Sequence, residues 1–154
     1  MLFRSRVARL AFTLERMGLG PGDRAGLLAE NCPEWSIADF ACISSGIVVV
    51  PIYPTLTPAQ CEYILKDSAA AIVFVSTPQL AAKITPPGIK VLMMDDLGRG
   101  EPLSEEENHA FEAKARAVKA EDLFSILYTS GTTGVPKGVM LRSEERRVGK
   151  ECRL

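Results

Sequence analysis

Stretches with helical periodicity alternate along the chain with short, continuous apolar runs. In the first stretch, apolar residues return every three or four positions: Phe3, Val7, Leu10, Ala11, Leu14 and Met17. This spacing places them on one face of a helix, and Gly18 follows where a glycine commonly ends one. Further helices are predicted near residues 33–42, 57–66, 79–83 and 104–118.

Strands are predicted between the helices, at residues 24–28, 47–50, 71–75, 91–94 and 123–128, and each of these segments is mainly apolar. Runs this short, bounded by turn residues, are typical of buried strands. The second run is expected to end at Pro51, because proline cannot donate to a strand ladder. Strands that alternate with helices predict an α/β fold with a mostly parallel sheet flanked by helices.

Composition and charge are ordinary for one globular unit. The 154 residues are 47% hydrophobic and carry a net charge of −1, which suits a single buried core. The absence of a basic excess gives no reason to expect nucleic acid as a partner. No run approaches the roughly 20 apolar residues of a membrane span, and charged residues interrupt the amino-terminal segment, unlike a signal peptide. A cytoplasmic location is therefore expected.

The cysteines and the single histidine do not form a metal-binding pattern. Cys32, Cys42, Cys61 and Cys152 include no pair separated by two residues, and His109 stands alone. A zinc site is therefore not expected. Cys42 lies in an apolar helical segment and is interpreted as buried packing.

One polar run, at residues 128–138, carries the most specific chemistry of the chain. Its sequence, YTSGTTGVPKG, contains four Ser/Thr hydroxyls, three glycines and one lysine. Glycines let the backbone approach an anion closely and form a nest of N–H groups, and lysine supplies a compact charge that suits phosphate. Ligands of parallel sheets bind at the carboxyl ends of the strands. We therefore predict phosphate binding directly after the last apolar run.

Two other interpretations of this run stay open. A Ser/Thr/Gly-rich segment is often an ordinary loop, and the chain would then be a non-catalytic α/β module that holds some other anion or none. The second alternative is a P-loop hydrolase or kinase with the pattern G-x-x-x-x-G-K-[ST]. That pattern is not met, because Pro136 occupies the place of its second glycine and Gly138 the place of its magnesium-binding hydroxyl.

The polar run and its continuation to Val139 resemble the phosphate-binding signature of the adenylate-forming (AMP-binding) enzymes. Upstream segments at residues 22–24, 31–35 and 50–57 are similar to the early part of fatty acyl-CoA synthetases. The PIYPT sequence within the last of them resembles the long-chain branch. The resemblance covers about residues 7–141 and implies a partial, amino-terminal portion of the large domain of such an enzyme.

The resemblance implies a two-step ligase that activates a fatty acid, of long chain in the branch that fits best. The carboxylate attacks the α-phosphate of magnesium-bound ATP to give an acyl-adenylate and pyrophosphate, and the thiol of coenzyme A then displaces AMP to form a thioester. ATP with Mg²⁺, coenzyme A and the fatty acid are thus the implied cofactors and partners. A different carboxylate is the alternative, and peripheral membrane contact of a longer parent protein stays open.

The resemblance also implies which residues hold ATP. By matching positions, the β- and γ-phosphates would be bound by Thr129, Ser130, Gly131, Thr132, Thr133, Gly134 and Lys137. Lys137 would contribute charge, the hydroxyls hydrogen bonds, and the glycines backbone N–H groups and room. No residue matches the family's adenylation lysine, so no catalytic residue is assigned. No metal ligand is assigned either, because magnesium would come with ATP and with residues later in the family pattern.

The sequence departs from the family pattern after the phosphate run. The acyl pocket, the adenine- and ribose-binding motifs and the small carboxyl-terminal domain have no counterpart in these 154 residues, and the chain alone is expected to be inactive. Residues 142–154 lack a periodic apolar face and are interpreted as a non-native tail, with a frayed terminal helix as the alternative. The origin of residues 1–6 is left open.

Overall fold

The computed structural model describes residues 3–85, 87–95, 97–130 and 136–142. Helices and strands alternate along this part of the chain. The helices are α1 Phe3–Arg16, α2 Pro33–Ser44, α3 Pro58–Asp67, α4 Pro78–Ala81 and α5 Glu105–Ala117. The strands are β1 Arg24–Leu28, β2 Val48–Ile52, β3 Ile72–Val75, β4 Lys90–Met93, β5 Leu123–Ser130 and β6 Pro136–Arg142.

The described strands form one sheet in the order β4-β3-β1-β2-β5-β6. The pairs from β4 to β5 are parallel, whereas β6 runs antiparallel to β5. Strand β1 lies between β2 and β3, because Ala25 pairs with Val49 on one side and with Ile72 on the other. The mostly parallel sheet predicted from the alternation of elements is confirmed.

Helices cover both faces of the sheet, and each face has its own apolar core. Leu27 and Phe74 pack with α1, α2 and α5, whereas the next residues, Leu28 and Val75, pack with α3 and α4. All four side chains are fully buried. Full burial of each such side chain favours folding by about 1.5–3 kcal/mol. Burial on both faces explains why these strands are continuous apolar runs in the sequence.

Local sequence signals set where the first helix ends. Gly18 has a φ of 86°, a left-handed conformation that glycine adopts without steric cost. Its N–H donates to the Glu15 carbonyl at 2.8 Å, and the Leu19 N–H donates to the Leu14 carbonyl at 3.0 Å. This is the Schellman arrangement, which satisfies the last carbonyls of a helix. Gly18 therefore ends α1 as predicted.

Helix α5 depends strongly on its amino-terminal cap, because Phe111 is its one buried residue. The Ser104 hydroxyl accepts a hydrogen bond from the Glu107 N–H at 3.1 Å, and the Glu107 carboxylate accepts one from the Ser104 N–H at 2.8 Å. We expect Ser104→Ala to lower the free energy of unfolding by about 1 kcal/mol, and Ser104→Gly by only about 0.3 kcal/mol. Urea unfolding of both variants checks this, and equal losses would contradict it.

Strand β2 is longer than predicted, because it continues through Pro51 to Ile52. The proline lies where the sheet can tolerate a missing N–H donor. The ladder between β2 and β5 registers one pair, Val49 with Ser125, and this pair precedes Pro51. Beyond it, β2 pairs in register with β1 alone among the described strands.

The sequence predicts no strand at β6. The first three residues of this strand, 136–138, are also the last three of the polar run. Glycine and proline are weak strand formers, and β6 contains both in its first three residues. The strand forms because it pairs with β5 from Ser130 opposite Pro136 to Leu123 opposite Arg142. Arg142, at which the interpreted tail begins, is the last residue of this strand, and residues 143–154 lie outside the described residues.

Candidate phosphate-binding site

The carboxyl ends of β1, β2 and β5 lie side by side at one edge of the sheet. The connection after β1 leads to α2 on one face, and the connection after β2 leads to α3 on the other face. Adjacent parallel strands whose connections leave to opposite faces open a crevice, and ligands of α/β sheets bind at such a switch point. The end of β5, where the polar run begins, lies beside this crevice.

Two of the predicted phosphate-binding side chains lie opposite each other in the hairpin of β5 and β6. Thr129 pairs directly with Lys137, so both side chains lie on the same face of the sheet. Both residues are exposed. A hydroxyl and an ammonium group on adjacent strands can contact one anion without first giving up a buried partner.

The other predicted residues are described only in part. Ser130 is the last residue of β5 and pairs with Pro136, but only its backbone is described. Gly131, Thr132, Thr133 and Gly134 lie outside the described residues. Their assignment to the phosphates stays a prediction. The described residues on either side of this segment come together, because the hairpin pairs the two strands directly before and after it.

A cavity of about 660 Å³ occupies the switch point and reaches the hairpin. Its wall includes Trp35 of α2, Tyr53 in the connection after β2, and Leu127 of β5, with Glu30 and Thr129 as polar members. From the sequence, Trp35 at helical spacing is interpreted as packing, and Tyr53 as part of a rigid turn that nearby prolines fix. The structure shows that Trp35 and Tyr53 both line this cavity, which neither helical periodicity nor turn composition could indicate.

The connection after β2 is held by a lysine that the sequence did not single out. Lys83 Nζ donates hydrogen bonds to the Pro54 carbonyl at 2.6 Å and to the Leu56 carbonyl at 2.9 Å. Hydrogen bonds from a charged donor are stronger than neutral ones. They fix the turn that places Tyr53 in the cavity wall. No local signal marks this contact, because Lys83 and Leu56 are 27 residues apart.

The connection after β1 is fixed through Glu34, in the first turn of α2. The Arg6 guanidinium donates to the Glu34 carboxylate at 2.9 Å, and the two side chains are only 15% and 19% exposed. This hydrogen bond holds the pKa of Glu34 below its ordinary value of 4.5, against the opposing effect of burial. A lowered folded-state pKa stabilises the fold above pH 4.5, and that stabilisation is lost as the pH falls through the folded-state value.

We expect Glu34→Gln to lower the free energy of unfolding by about 1 kcal/mol at neutral pH, because the amide oxygen can still accept from Arg6 but the negative charge that strengthens the bond is gone. The difference from the wild type should shrink below pH 4.5. Glu106→Gln is the matched control, since Glu106 is also the second residue of its helix but is exposed. Urea unfolding at neutral and acid pH tests this. A difference of equal size at both pH values would contradict it.

Other candidate chemistry is sparse in the described part of the chain. No three His, Cys, Asp or Glu side chains of the described residues come together in a group that could hold a metal ion. No described helix is long and apolar enough to cross a membrane. The buried positions of Cys42 and Cys61 raise the pKa of both thiols, which keeps them protonated and unreactive. The predicted burial of Cys42 is confirmed.

Comparison with known protein families shows to which family the polar run and the rest of the chain belong. A family model described as AMP-binding enzyme matches residues 3–146. The chain belongs to the AMP-binding enzyme family. The match includes every residue of this family member that is predicted to hold phosphate, and it extends beyond residues 7–141 at both ends. The interpreted division at residue 142 stays a prediction.

Curated relatives of this chain are named CoA ligases. A probable CoA ligase of Humulus lupulus is 31% identical, over 88% of this chain and 24% of the relative. Long-chain-fatty-acid–CoA ligase 5 of Mus musculus is 36% identical, over 77% and 21%. Long-chain-fatty-acid–CoA ligase 1 of Homo sapiens is 32% identical, over 86% and 22%. The chain therefore spans less than a quarter of the length of these relatives.

Solved structures share the fold of this chain. The N-terminal subdomain of NpsA from Klebsiella oxytoca matches with a TM-score of 0.73 and 22% identity, over 92% of this chain and 33% of that one. The o-succinylbenzoate CoA synthetase of Bacillus subtilis matches with a TM-score of 0.73 and 21% identity, over 96% and 37%. The predicted fold, the α/β architecture of the N-terminal part of adenylate-forming enzymes, is confirmed.

Proposed function

We propose that this chain supplies the ATP phosphate-binding part of an acid–thiol ligase that converts a long-chain fatty acid, through an acyl-adenylate, to an acyl-CoA thioester. The observation that carries the proposal is the direct pairing of exposed Thr129 and Lys137 beside the switch point of the sheet. The names of the mouse and human relatives support the fatty-acid substrate. ATP and coenzyme A are the co-substrates of this reaction.

In the first step, the proposed task of the chain is electrostatic. Attack of a carboxylate on the α-phosphate of ATP leaves negative charge on the departing pyrophosphate, and fixed donors and cations lower the barrier by stabilising that charge. Lys137 brings the cation and Thr129 a hydroxyl donor. Direct cross-strand neighbours have Cβ atoms about 4.5–5.5 Å apart, so both groups can reach one phosphate. The backbone of Ser130, Gly131, Thr132, Thr133 and Gly134 is proposed to add N–H donors.

Magnesium is proposed to enter with ATP and to neutralise phosphate charge. The described residues offer no cluster of carboxylates or imidazoles for it, so none of them is assigned as its ligand. The proposed contribution of this chain is therefore to bind and orient the phosphates. The cytoplasmic location, and membrane contact of a longer protein, also stay predictions.

The test uses the complete protein with ATP, Mg²⁺, coenzyme A and a carboxylic acid. We expect AMP and pyrophosphate to appear only when the acid is present. A long-chain fatty acid and o-succinylbenzoate should be compared, since the Bacillus subtilis neighbour was solved with an o-succinylbenzoyl-adenylate. Turnover of the aromatic acid alone would keep the ligase but contradict the fatty-acid substrate.

Two further outcomes of this assay would contradict the ligase itself. Release of ADP without any carboxylic acid would favour a P-loop hydrolase. Absence of turnover, together with no rise of the melting temperature on addition of ATP or pyrophosphate, would favour a non-catalytic module, because a ligand that binds the folded state must stabilise it.

A further inference from the structure

The end of the hairpin that carries the proposed phosphate ligands extends past its neighbour in the sheet. Strand β5 registers with β2 at one pair, Val49 with Ser125, near the start of β5. Strand β6 pairs with β5 and is the last described strand of the sheet. Beyond Ser125 the described residues add no ladder pair between β5 and β2, so the attachment of the hairpin rests on its side chains, and Ile126 and Tyr128 pack on the α3 side of the sheet.

Helix α3 provides such an attachment. The Tyr128 hydroxyl donates a hydrogen bond to Asp67 Oδ2 at 2.6 Å, and the Tyr63 ring meets the Tyr128 ring edge-on, with their centroids 6.5 Å apart. Asp67 is the last residue of α3. An acid is unfavourable there, because the carbonyl end of a helix carries partial negative charge. The contact with Tyr128 gives Asp67 a compensating partner that local helix chemistry does not supply.

Gly138 makes room for the contact between Tyr128 and α3. It lies opposite Tyr128 in the hairpin. A Cβ atom at this position would approach Tyr128 Cζ to 3.2 Å and Ile126 Cγ2 to 2.9 Å. Any larger residue would therefore push the ring away from its place on the hairpin. The glycine at position 138 is thus explained by the space that the Tyr128 ring needs and not by a contact with phosphate.

The Tyr128 hydroxyl is kept in its donating form. Burial raises the pKa of Tyr128, and the hydrogen bond to Asp67 and the charge of its carboxylate raise it further. The ordinary value, 10.0, is already far above neutral pH. The proton therefore stays on the hydroxyl across the physiological range, where it can be donated to Asp67.

We propose that Asp67 and Tyr128 are positioning residues whose hydrogen bond fixes the hairpin against α3 and thereby holds Thr129 and Lys137 at the phosphates. The attachment follows from the contacts of the hairpin, whereas its consequence for ATP rests on the proposed function. Thr129 directly follows Tyr128, and Lys137 directly precedes Gly138. A shift of the Tyr128 ring therefore moves both phosphate ligands together.

The kinetic test compares Tyr128→Phe and Asp67→Ala with Tyr63→Phe in the complete protein. Tyr63→Phe is the matched control, because it keeps the ring that meets Tyr128 edge-on and leaves the hydrogen bond between Tyr128 and Asp67 in place. We expect kcat/KM for ATP to fall at least about tenfold in the first two variants, since small misplacements of reacting groups have large kinetic costs. The KM for the carboxylic acid should stay near the wild-type value in all three variants.

Two more variants sharpen this comparison. The double variant Asp67→Ala/Tyr128→Phe should be no worse than either single variant, because both remove the same interaction. Asp67→Asn, which keeps a carbonyl acceptor, should recover part of the loss. Wild-type ATP kinetics in Tyr128→Phe and Asp67→Ala would overturn the proposal.

Amide hydrogen exchange tests the attachment independently of activity. Asp67→Ala and Tyr128→Phe should speed exchange of the β6 amides that pair with β5, whereas Tyr63→Phe should not. If the wild-type protein forms no adenylate, the proposed function fails. The exchange rates of the β6 amides then test by themselves whether Tyr128 and Asp67 attach the hairpin to α3. Unchanged exchange in both variants would overturn this attachment, even in an active enzyme.

Discussion

Replacement of Lys137 by alanine in the complete protein should slow carboxylate-dependent release of pyrophosphate by about two orders of magnitude. Loss of one preorganised charged donor costs roughly 3 kcal/mol in the transition state, and every 1.36 kcal/mol corresponds to a factor of ten in rate. Lys137 is exposed on β6, so its removal leaves the core intact. The KM for the fatty acid should hardly change, because the lost charge acts on the phosphates of ATP.

Lys90→Ala is the matched control for this experiment. Lys90 is also an exposed lysine near the start of an edge strand, but that strand is β4, on the side of the sheet opposite to β6. Its removal should leave pyrophosphate release unchanged. Lys137→Arg keeps the charge in a larger, planar group and should recover part of the rate. An unchanged rate in Lys137→Ala, or an equal loss in Lys90→Ala, would refute the assignment of Lys137 to the phosphates.

Gly98→Ala should lower the free energy of unfolding by about 2–5 kcal/mol, the sum of two separate costs. The φ of Gly98 is 66°, and a Cβ atom there would lie 2.1 Å from the Arg6 carbonyl oxygen. A left-handed conformation costs an alanine about 1–2 kcal/mol, and a forced displacement in a packed region about 1–3 kcal/mol more. The displacement would also disturb the bond from Arg6 Nε to the Leu97 carbonyl, now 3.0 Å long.

Gly88→Ala separates the two costs. Gly88 has a similar φ of 87°, but no atom lies within 4 Å of the position that its Cβ would occupy. Its replacement should therefore show the backbone cost alone, about 1–2 kcal/mol. Urea unfolding of both variants measures the difference. Equal destabilisation would mean that the segment around Gly98 moves away from α1 without loss.

The elements with local signals could be predicted from the sequence. Strand β1 has the predicted bounds, Arg24–Leu28, because a short, mainly apolar segment between turn residues has the length of a strand and not of a helix. Thr57 and Ser104 directly precede α3 and α5, and each forms a capping box with the residue three positions later, Gln60 and Glu107. Strand β6 could not be predicted, because its residues form a strand only by pairing with β5 and their composition does not favour one.

The candidate site likewise has features that the sequence predicts and features that depend on the folded structure. The chemistry of the polar run and its place at the end of a strand follow from residue types and from the alternation of elements. The contacts that hold the site do not. Lys83 and Leu56 are 27 residues apart, and Tyr128 and Asp67 are 61 apart. No periodic pattern relates such positions, so these partners become visible only when the chain is folded.

The order of the strands has a consequence for the sequence of folding events. Strands β1, β2 and β3 are neighbours in the sheet and come from residues 24–75, whereas β5 reaches β2 only from residue 123 onward. Closing a longer loop costs more entropy, and long-range pairing slows folding. We therefore expect pulse-labelled hydrogen exchange to show protection in β1–β3 before β5, and simultaneous protection would contradict this. Substitutions that slow the pairing of β5 with β2 would then lower the yield of folded protein without changing the final fold.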